Sequence, residues 1–192
     1  MADSGAAWAL ILYPNDVNLM NKAEIIIIAA LAESNRAIAK NGELPWNIPE
    51  DSQRFESLTL NHTLIVGRNT WDSDLKNSPL KNHHIIVISS QPEEVEMELQ
   101  SINYPEEVLV FNSLSEALQK SQDLEKIFIA GGASIYAQAL EIAYTLELTL
   151  VEGDFDGDTF FPEYQHLIGN QFELVGKEER PGFRFETYKR IT

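Results

Sequence analysis

Glu50 and Asp51 stand side by side directly after a stiff stretch that reads Gly42-Glu43-Leu44-Pro45-Trp46-Asn47-Ile48-Pro49. Two prolines and a tryptophan fix the start of a helix, and both acids fall in its first turn, where they complement the helix dipole. Asp51 has a second reading. Phe55 and Leu58 follow it at i+4 and i+7, which puts Asp51 on the apolar face of the predicted helix. A lone carboxyl on a buried face has a raised pKa and suits proton transfer, or two hydrogen bonds to a flat polar ring. Taken by themselves, the residues leave the dipole reading and the chemical reading equal.

Three short polar segments follow strongly apolar ones. Gly67-Arg68-Asn69-Thr70 supplies a glycine turn, a fixed cation and a hydroxyl; Ser89-Ser90 supplies two hydroxyls; Gly131-Gly132-Ala133-Ser134 opens a helix. Glycines let the backbone approach a ligand, and the free N–H groups at a helix start face it. Each segment has an ordinary turn or cap reading. Together they point to a diphosphate ligand with an additional phosphate near Arg68.

The elements that must hold these groups read as alternating strands and helices. Continuous apolar runs at Ile25–Ala30, Thr63–Val66, Ile85–Ile88, Val108–Phe111 and Ile127–Ala130 predict central strands covered on both faces. Helices are predicted at Glu50–Leu60, Ser115–Ser121 and Ser134–Ala143, the second capped by Ser113 or Ser115. Leu146, Leu148 and Leu150, and later Phe183, Phe185 and Thr187, alternate with polar residues. That alternation predicts antiparallel strands near a sheet edge. The polar segments then fall at strand carboxyl ends, where ligands of such sheets bind. The fold class is α/β: a single domain over residues 24–192 with a mixed, mainly parallel sheet. Residues 1–23 form an N-terminal extension, of which 1–19 are expected to be partly disordered or a loose apolar arm.

Composition narrows the function. The 192 residues carry 14 Lys+Arg against 30 Asp+Glu, a net charge of −16, with no basic residue from 82 to 119 or from 127 to 176. Such a surface repels nucleic acid and anionic lipid. No apolar run reaches the ~20 residues of a membrane span. Cysteine is absent, which removes disulfides, thiolate zinc sites and Cys nucleophiles; no metal site is expected. A cytoplasmic monomer is the expectation.

The order of the motifs is specific. IAALAESNRAIAKNGELPWNIPED, LIVGRNTW, IIVISSQ, FIAGGASIYAQAL, LELTLVEGDFDGDTFFPEY and FRFETYKR together resemble dihydrofolate reductase from about Ile25 to Arg190. The resemblance implies an eight-stranded, mainly parallel sheet flanked by four helices with antiparallel C-terminal strands. It implies reduction of 7,8-dihydrofolate by NADPH, with hydride to C6 and a proton to N5, and antifolate inhibitors as further ligands. By the same resemblance Asp51 is the acid of the pterin pocket, Thr149 the hydroxyl bonded to it, and Trp46 the holder of a water beside it. Ile28, Ala29, Phe55, Ala130 and Tyr136 line the substrate. Ala30, Ile38, Gly42 and Leu44 contact the nicotinamide end of the cofactor, and residues 39–44 form a mobile loop held closed by Asp158. Arg68, Ser89 and Ser90 match the 2′-phosphate site. Gly67, Asn69 and Thr70, with Gly131, Gly132, Ala133, Ser134, Ile135 and Tyr136, match the pyrophosphate and ribose contacts. A cis peptide between Gly131 and Gly132 is implied as well.

Some positions depart from the family pattern. His83 stands where an arginine usually clamps the glutamate tail of the substrate, and histidine cannot form a bidentate fork. Tail affinity is therefore expected to be weaker and to fall as pH rises. Ser52 replaces a larger apolar residue, Ala39 a glycine and Ser134 a basic residue, and about two extra residues lie between Trp71 and Pro79. Two other readings stand beside it: a pyrimidine reductase of riboflavin synthesis on the same fold, and a non-catalytic NADPH-binding protein.

Overall fold

Ile25, Ile27 and Ala29 bury themselves on one side of a sheet while Ile26 and Ile28 bury themselves on the other. The run they form is apolar at every position because side chains alternate across a strand that is covered on both faces. A computed structural model describes residues 23–75, 80–104 and 107–192. Eight strands form the main sheet: β1 (Glu24–Ala32), β3 (Thr63–Gly67), β4 (His84–Ile88), β5 (Val108–Phe111), β6 (Lys126–Ile129), β7 (Thr145–Val151), β9 (Phe172–Arg180) and β10 (Phe183–Arg190). Their spatial order is β5-β4-β3-β6-β1-β7-β10-β9. Pairing is parallel from β5 through to β7 and antiparallel on both sides of β10. A separate two-stranded ribbon joins β2 (Ala37–Ala39) to β8 (Thr159–Phe160).

Parallel neighbours require crossovers, and helices supply them. Four helices pack on the sheet: α1 (Pro49–Thr59), α3 (Pro92–Ile102), α4 (Leu114–Lys120) and α5 (Ala133–Leu140). A single turn, α2 (Arg68–Thr70), runs directly into a π-helical segment, Trp71–Leu75. Ser113 caps α4, its Oγ accepting from the Glu116 amide at 3.2 Å. Asn103 ends α3 in the left-handed conformation, which asparagine tolerates.

The register places the expected ligand segments on one rim. Gly67 pairs with Ile88, Ile65 with Ile129, and Ala30 with Thr149. The ends of β3, β4, β6 and β1 therefore bring Arg68, Ser89, Gly131 and Ala30 together. The Gly131–Gly132 peptide is cis.

Two expectations need correction. Val108–Phe111 is not a central strand: β5 is an edge, and its residues are half-buried or exposed. The run Leu146–Leu150 is not near an edge either. β7 lies between β1 and β10, buried at all but one position, and its polar residues are tolerated because each finds a partner. Two of the longer elements are not legible in the residues. α3 buries only Val95 and leaves Met97 and Ile102 exposed, so its apolar residues mark no clear face. β9 is the outer edge strand with one buried residue, Phe172. The extension over residues 1–19 lies outside the described residues.

Behind the rim, β10 carries a buried carboxylate. Glu186 is 5% exposed and accepts from Arg184 Nε at 2.7 Å and from the Tyr188 hydroxyl, while Arg184 Nη2 also donates to Glu33 at 2.8 Å. Burial, with the Glu186 carboxylate beside it, pushes the Tyr188 phenol well above its ordinary range. Such a network is tolerated because every charge has a partner. Glu186→Ala is expected to destabilise the fold by about 3 kcal/mol, measured by urea unfolding. A loss below about 0.5 kcal/mol would show that Arg184 and Tyr188 find water instead.

Candidate active site

Pro49 starts α1, and Asp51 follows in its first turn. Phe55 and Leu58 pack on the sheet beneath, which draws Asp51 onto the same half-buried face. Its Oδ1 accepts from Thr149 Oγ1 at 2.5 Å. Desolvation raises the Asp51 pKa, and the Thr149 bond and the charge of Arg54 oppose the shift without cancelling it. The helix-dipole reading does not account for this arrangement. The partner acid Glu50 does follow it: it turns outward and pairs with Arg180 at 2.5 Å.

One helical turn on, the geometry repeats. Arg54 Nη2 meets Glu147 Oε2 at 2.5 Å, and the same oxygen accepts from Thr187 Oγ1 at 2.7 Å. The guanidinium also lies 4.6 Å over the Phe185 ring. Residues 51 and 54 on the helix thus face 149 and 147 on β7, as two rungs of a ladder. The i+3 and j−2 spacings match because both elements advance by similar distances.

A cavity of about 790 Å³ opens beside this ladder, and Ile28, Ala29, Asp51, Phe55, Ala130 and Thr149 form its walls. A second cavity, about 950 Å³, lies along the rim of the sheet. Gly67 to Thr70, Ser89, Ser90 and the start of α5 line it. Ala30, Leu44, Thr70, Ser73, Ala130 and Tyr136 belong to both. The two cavities therefore meet at a seam of small side chains, with Tyr136 fixed there by its hydroxyl, which donates to the Ile28 carbonyl at 2.9 Å.

Residues 24–190 match the family model described as dihydrofolate reductase. The chain belongs to the dihydrofolate reductase family. It is 31% identical to dihydrofolate reductase HdrB of Haloferax volcanii, over 86% of this chain and 82% of that one. It is 39% identical to the dihydrofolate reductase of Neisseria gonorrhoeae, over 73% and 80%. Among solved structures it resembles dihydrofolate reductase from Enterococcus faecalis complexed with NADP(H) and RAB-propyl. That match has a TM-score of 0.73 and 29% identity, covering 90% of this chain and 99% of that one.

In this reductase fold every substrate-side residue expected from the sequence borders the first cavity, and every cofactor-side residue borders the second, including Ile38, Gly42, Ala133, Ser134 and Ile135. Trp46 stands outside both. It packs edge-on against Phe155 at 5.0 Å and belongs to the small cluster around Val151, Phe183 and Phe185. Its indole N–H is covered and has no acceptor among the described residues.

His83 reaches the cavity wall but is 4% exposed. Its Nδ1 lies 2.8 Å from the Lys81 carbonyl and its Nε2 2.8 Å from Thr59 Oγ1. Both ring nitrogens are thereby committed within the chain, and His83 offers neither to a carboxylate. Lys81, exposed and lining the same cavity, is the cation placed there instead. Sequence reasoning also passed over Arg54, Asp72, Ser73 and Glu94, all of which line a cavity. An arginine at i+3 from a buried acid was the available signal for Arg54.

Residues 33–44 lie against the loop 153–158. Asn35 Nδ2 donates to the Phe155 carbonyl at 2.7 Å, the Asp158 amide donates to the Ala39 carbonyl at 3.0 Å, and Asp158 Oδ2 accepts from the Asn41 amide at 2.7 Å. These bonds hold the Asp158 carboxyl below its ordinary range. Lys40 pairs with Asp156. Contact at Gly157 is tight: a Cβ there would stand 2.6 Å from Ala37 Cβ and 3.1 Å from the Ala39 carbonyl. Gly157→Ala is therefore expected to push the β2 ribbon off Asp158 and lower turnover between about ten- and a hundredfold. Steady-state and single-turnover rates check it; unchanged rates would mean that the ribbon absorbs the methyl group.

Proposed function

We propose that Asp51 is the acid of the reaction and that Thr149, Arg54 and Glu147 hold it in place. The chain catalyses the NADPH-dependent reduction of 7,8-dihydrofolate to tetrahydrofolate, as members of this family do. One observation carries the assignment of the acid. Of the three carboxyls that line the first cavity, Glu43 and Glu56 are exposed, whereas Asp51 is half-buried, bonded to Thr149 and raised in pKa by burial.

The second cavity fits the cofactor. Gly67, Gly131 and Gly132 present bare backbone, and a Cβ on either Gly131 or Gly132 would stand 3.2 Å from Thr70 Oγ1. A pyrophosphate needs that room and the amides at the start of α5. When bound there, NADPH supplies the hydride. The chain's residues do the rest.

Asp51 accepts two hydrogen bonds from the flat amino-pyrimidine edge of the substrate and orients it against Ala30 and Ala130. Thr149 fixes which carboxylate oxygen remains available. Reduction consumes one proton, delivered to the ring nitrogen N5, and a carboxyl whose burial raises its pKa supports that delivery near neutral pH. Trp46 donates its spare N–H to a water beside the acid. The apolar walls at Ile28 and Phe55 keep other water away. The substrate's carboxylate tail is met by Lys81 rather than by His83. All these groups come from one chain, so a single copy carries a complete site. Among the described residues no helix is long and apolar enough to cross a membrane.

Asp51→Asn tests the acid. At pH 7 it is expected to lower kcat/KM for dihydrofolate by at least about a hundredfold, with a smaller deficit in acid, where the substrate is already protonated. Stability moves the other way. A raised carboxyl pKa means that ionisation costs folding energy above that pKa, and the cost is relieved as pH falls through it. The Asn variant should thus melt about 2–4 °C higher at pH 7, the gap narrowing on acidification. Activity unchanged at neutral pH would remove Asp51 from the mechanism.

A further inference from the structure

Arg68 is the only cation among the described residues that line the second cavity, and it shares that wall with Asp72 and Glu94. Its guanidinium is already engaged. Nε donates to Asp72 Oδ2 at 2.6 Å, and Nη2 donates to both oxygens of Glu98 at 2.8 and 2.9 Å. Asp72 lies at i+4 from Arg68, whereas Glu98 reaches across from α3. The pair with Glu98 is partly shielded, the two side chains being 26% and 36% exposed. It is therefore less screened than an ion pair on the open surface.

Among the described residues one positive charge, Arg68, stands with three negative ones, Asp72, Glu94 and Glu98, where the sequence suggested a phosphate clamp. The nearby hydroxyls do not change that sum. Ser89 is buried and its Oγ accepts from the Gln91 amide at 3.1 Å, while Ser90 is exposed. Asn69 and Ser134 are neutral. A phosphate dianion entering here must either displace Glu98 or accept from the remaining Nη1 beside two carboxylates. Both routes erode the gain that a free arginine would give.

We propose that Asp72 and Glu98 set cofactor specificity by occupying Arg68, so that this enzyme turns over NADH and NADPH with efficiencies within about tenfold of each other. The inference rests on the assignment of this cavity to the cofactor. Glu98 and Asp72 act through Arg68 and not on the reacting atoms. They lower the advantage of the 2′-phosphate without touching the rest of the dinucleotide.

Calorimetric titration of the full chain with ADP-ribose and with its 2′-phosphorylated form separates these effects from catalysis. The expected affinities differ by no more than about tenfold. Glu98→Gln should tighten the phosphorylated probe roughly five- to tenfold and leave ADP-ribose unchanged, with Asp72→Asn moving in the same direction. Steady-state kcat/KM ratios for NADPH over NADH should rise by the same factor, through KM. A wild-type preference above about tenfold would overturn the proposal, as would a Glu98→Gln variant that shifts neither probe or shifts both alike. If neither probe binds while dihydrofolate does, the cofactor cavity has been misassigned and the inference falls with it.

Discussion

Thr149 donates a hydrogen bond to a carboxyl group that its surroundings disfavour in the charged form, and much of the structure serves to keep that bond in place. Thr149 pairs in register with Ala30 across β1 and β7, so the partner of Asp51 and a residue of the cavity seam belong to neighbouring strands. Asp51 arrives from the other side on α1, whose start is fixed by Pro49 and whose pitch is anchored by Phe55 and Leu58. A shift of β7 by one residue would turn Thr149 to the opposite face. The Arg54–Glu147 rung guards against that shift, because it locks the same helix to the same strand two residues away. Thr187 extends the lock to β10.

Negative charge pervades the chain, and the polar contacts show how the fold lives with it. Most of the arginines with described contacts are tied to carboxylates: Arg54 to Glu147, Arg180 to Glu50 and Glu178, Arg184 to Glu33 and Glu186. Arg190 instead binds the carbonyls that end α5 and the turn after it. Cations in short supply are used first to hold secondary structure together, which leaves few for ligands. A surface with a net charge of −16 would otherwise expand through self-repulsion.

The sequence was most legible where one residue type had one physical use. Ile25–Ala30 and Ile127–Ala130 are apolar throughout because both faces are covered, and the glycines at 67, 131 and 132 stand where a side chain would fill the rim. Legibility failed where a signal depended on distant partners. A strand with Glu147 at its centre looks half-exposed until Arg54 and Thr187 are seen around that carboxylate. His83 looks like a weak substitute for an arginine until both its nitrogens are found to be occupied. α3 and β9 expose apolar side chains such as Met97, Ile102, Leu174 and Val175, so no single face stands out in their sequences. The family motifs located both cavities, but the carboxylates around Arg68 come from helix positions that no motif contains.

The seam between the two cavities combines fixed side chains with exposed ones. Ala30 and Ala130 are side chains of a single carbon, and Tyr136 is tethered by its hydroxyl to the backbone of β1. Leu44, also on the seam, is exposed and is carried on the segment bonded to Asp158 through the Asn41 amide. Neither Asn41 nor Asp158 lines a cavity, so where Leu44 stands at the passage between the two is set by a bond that lies outside both.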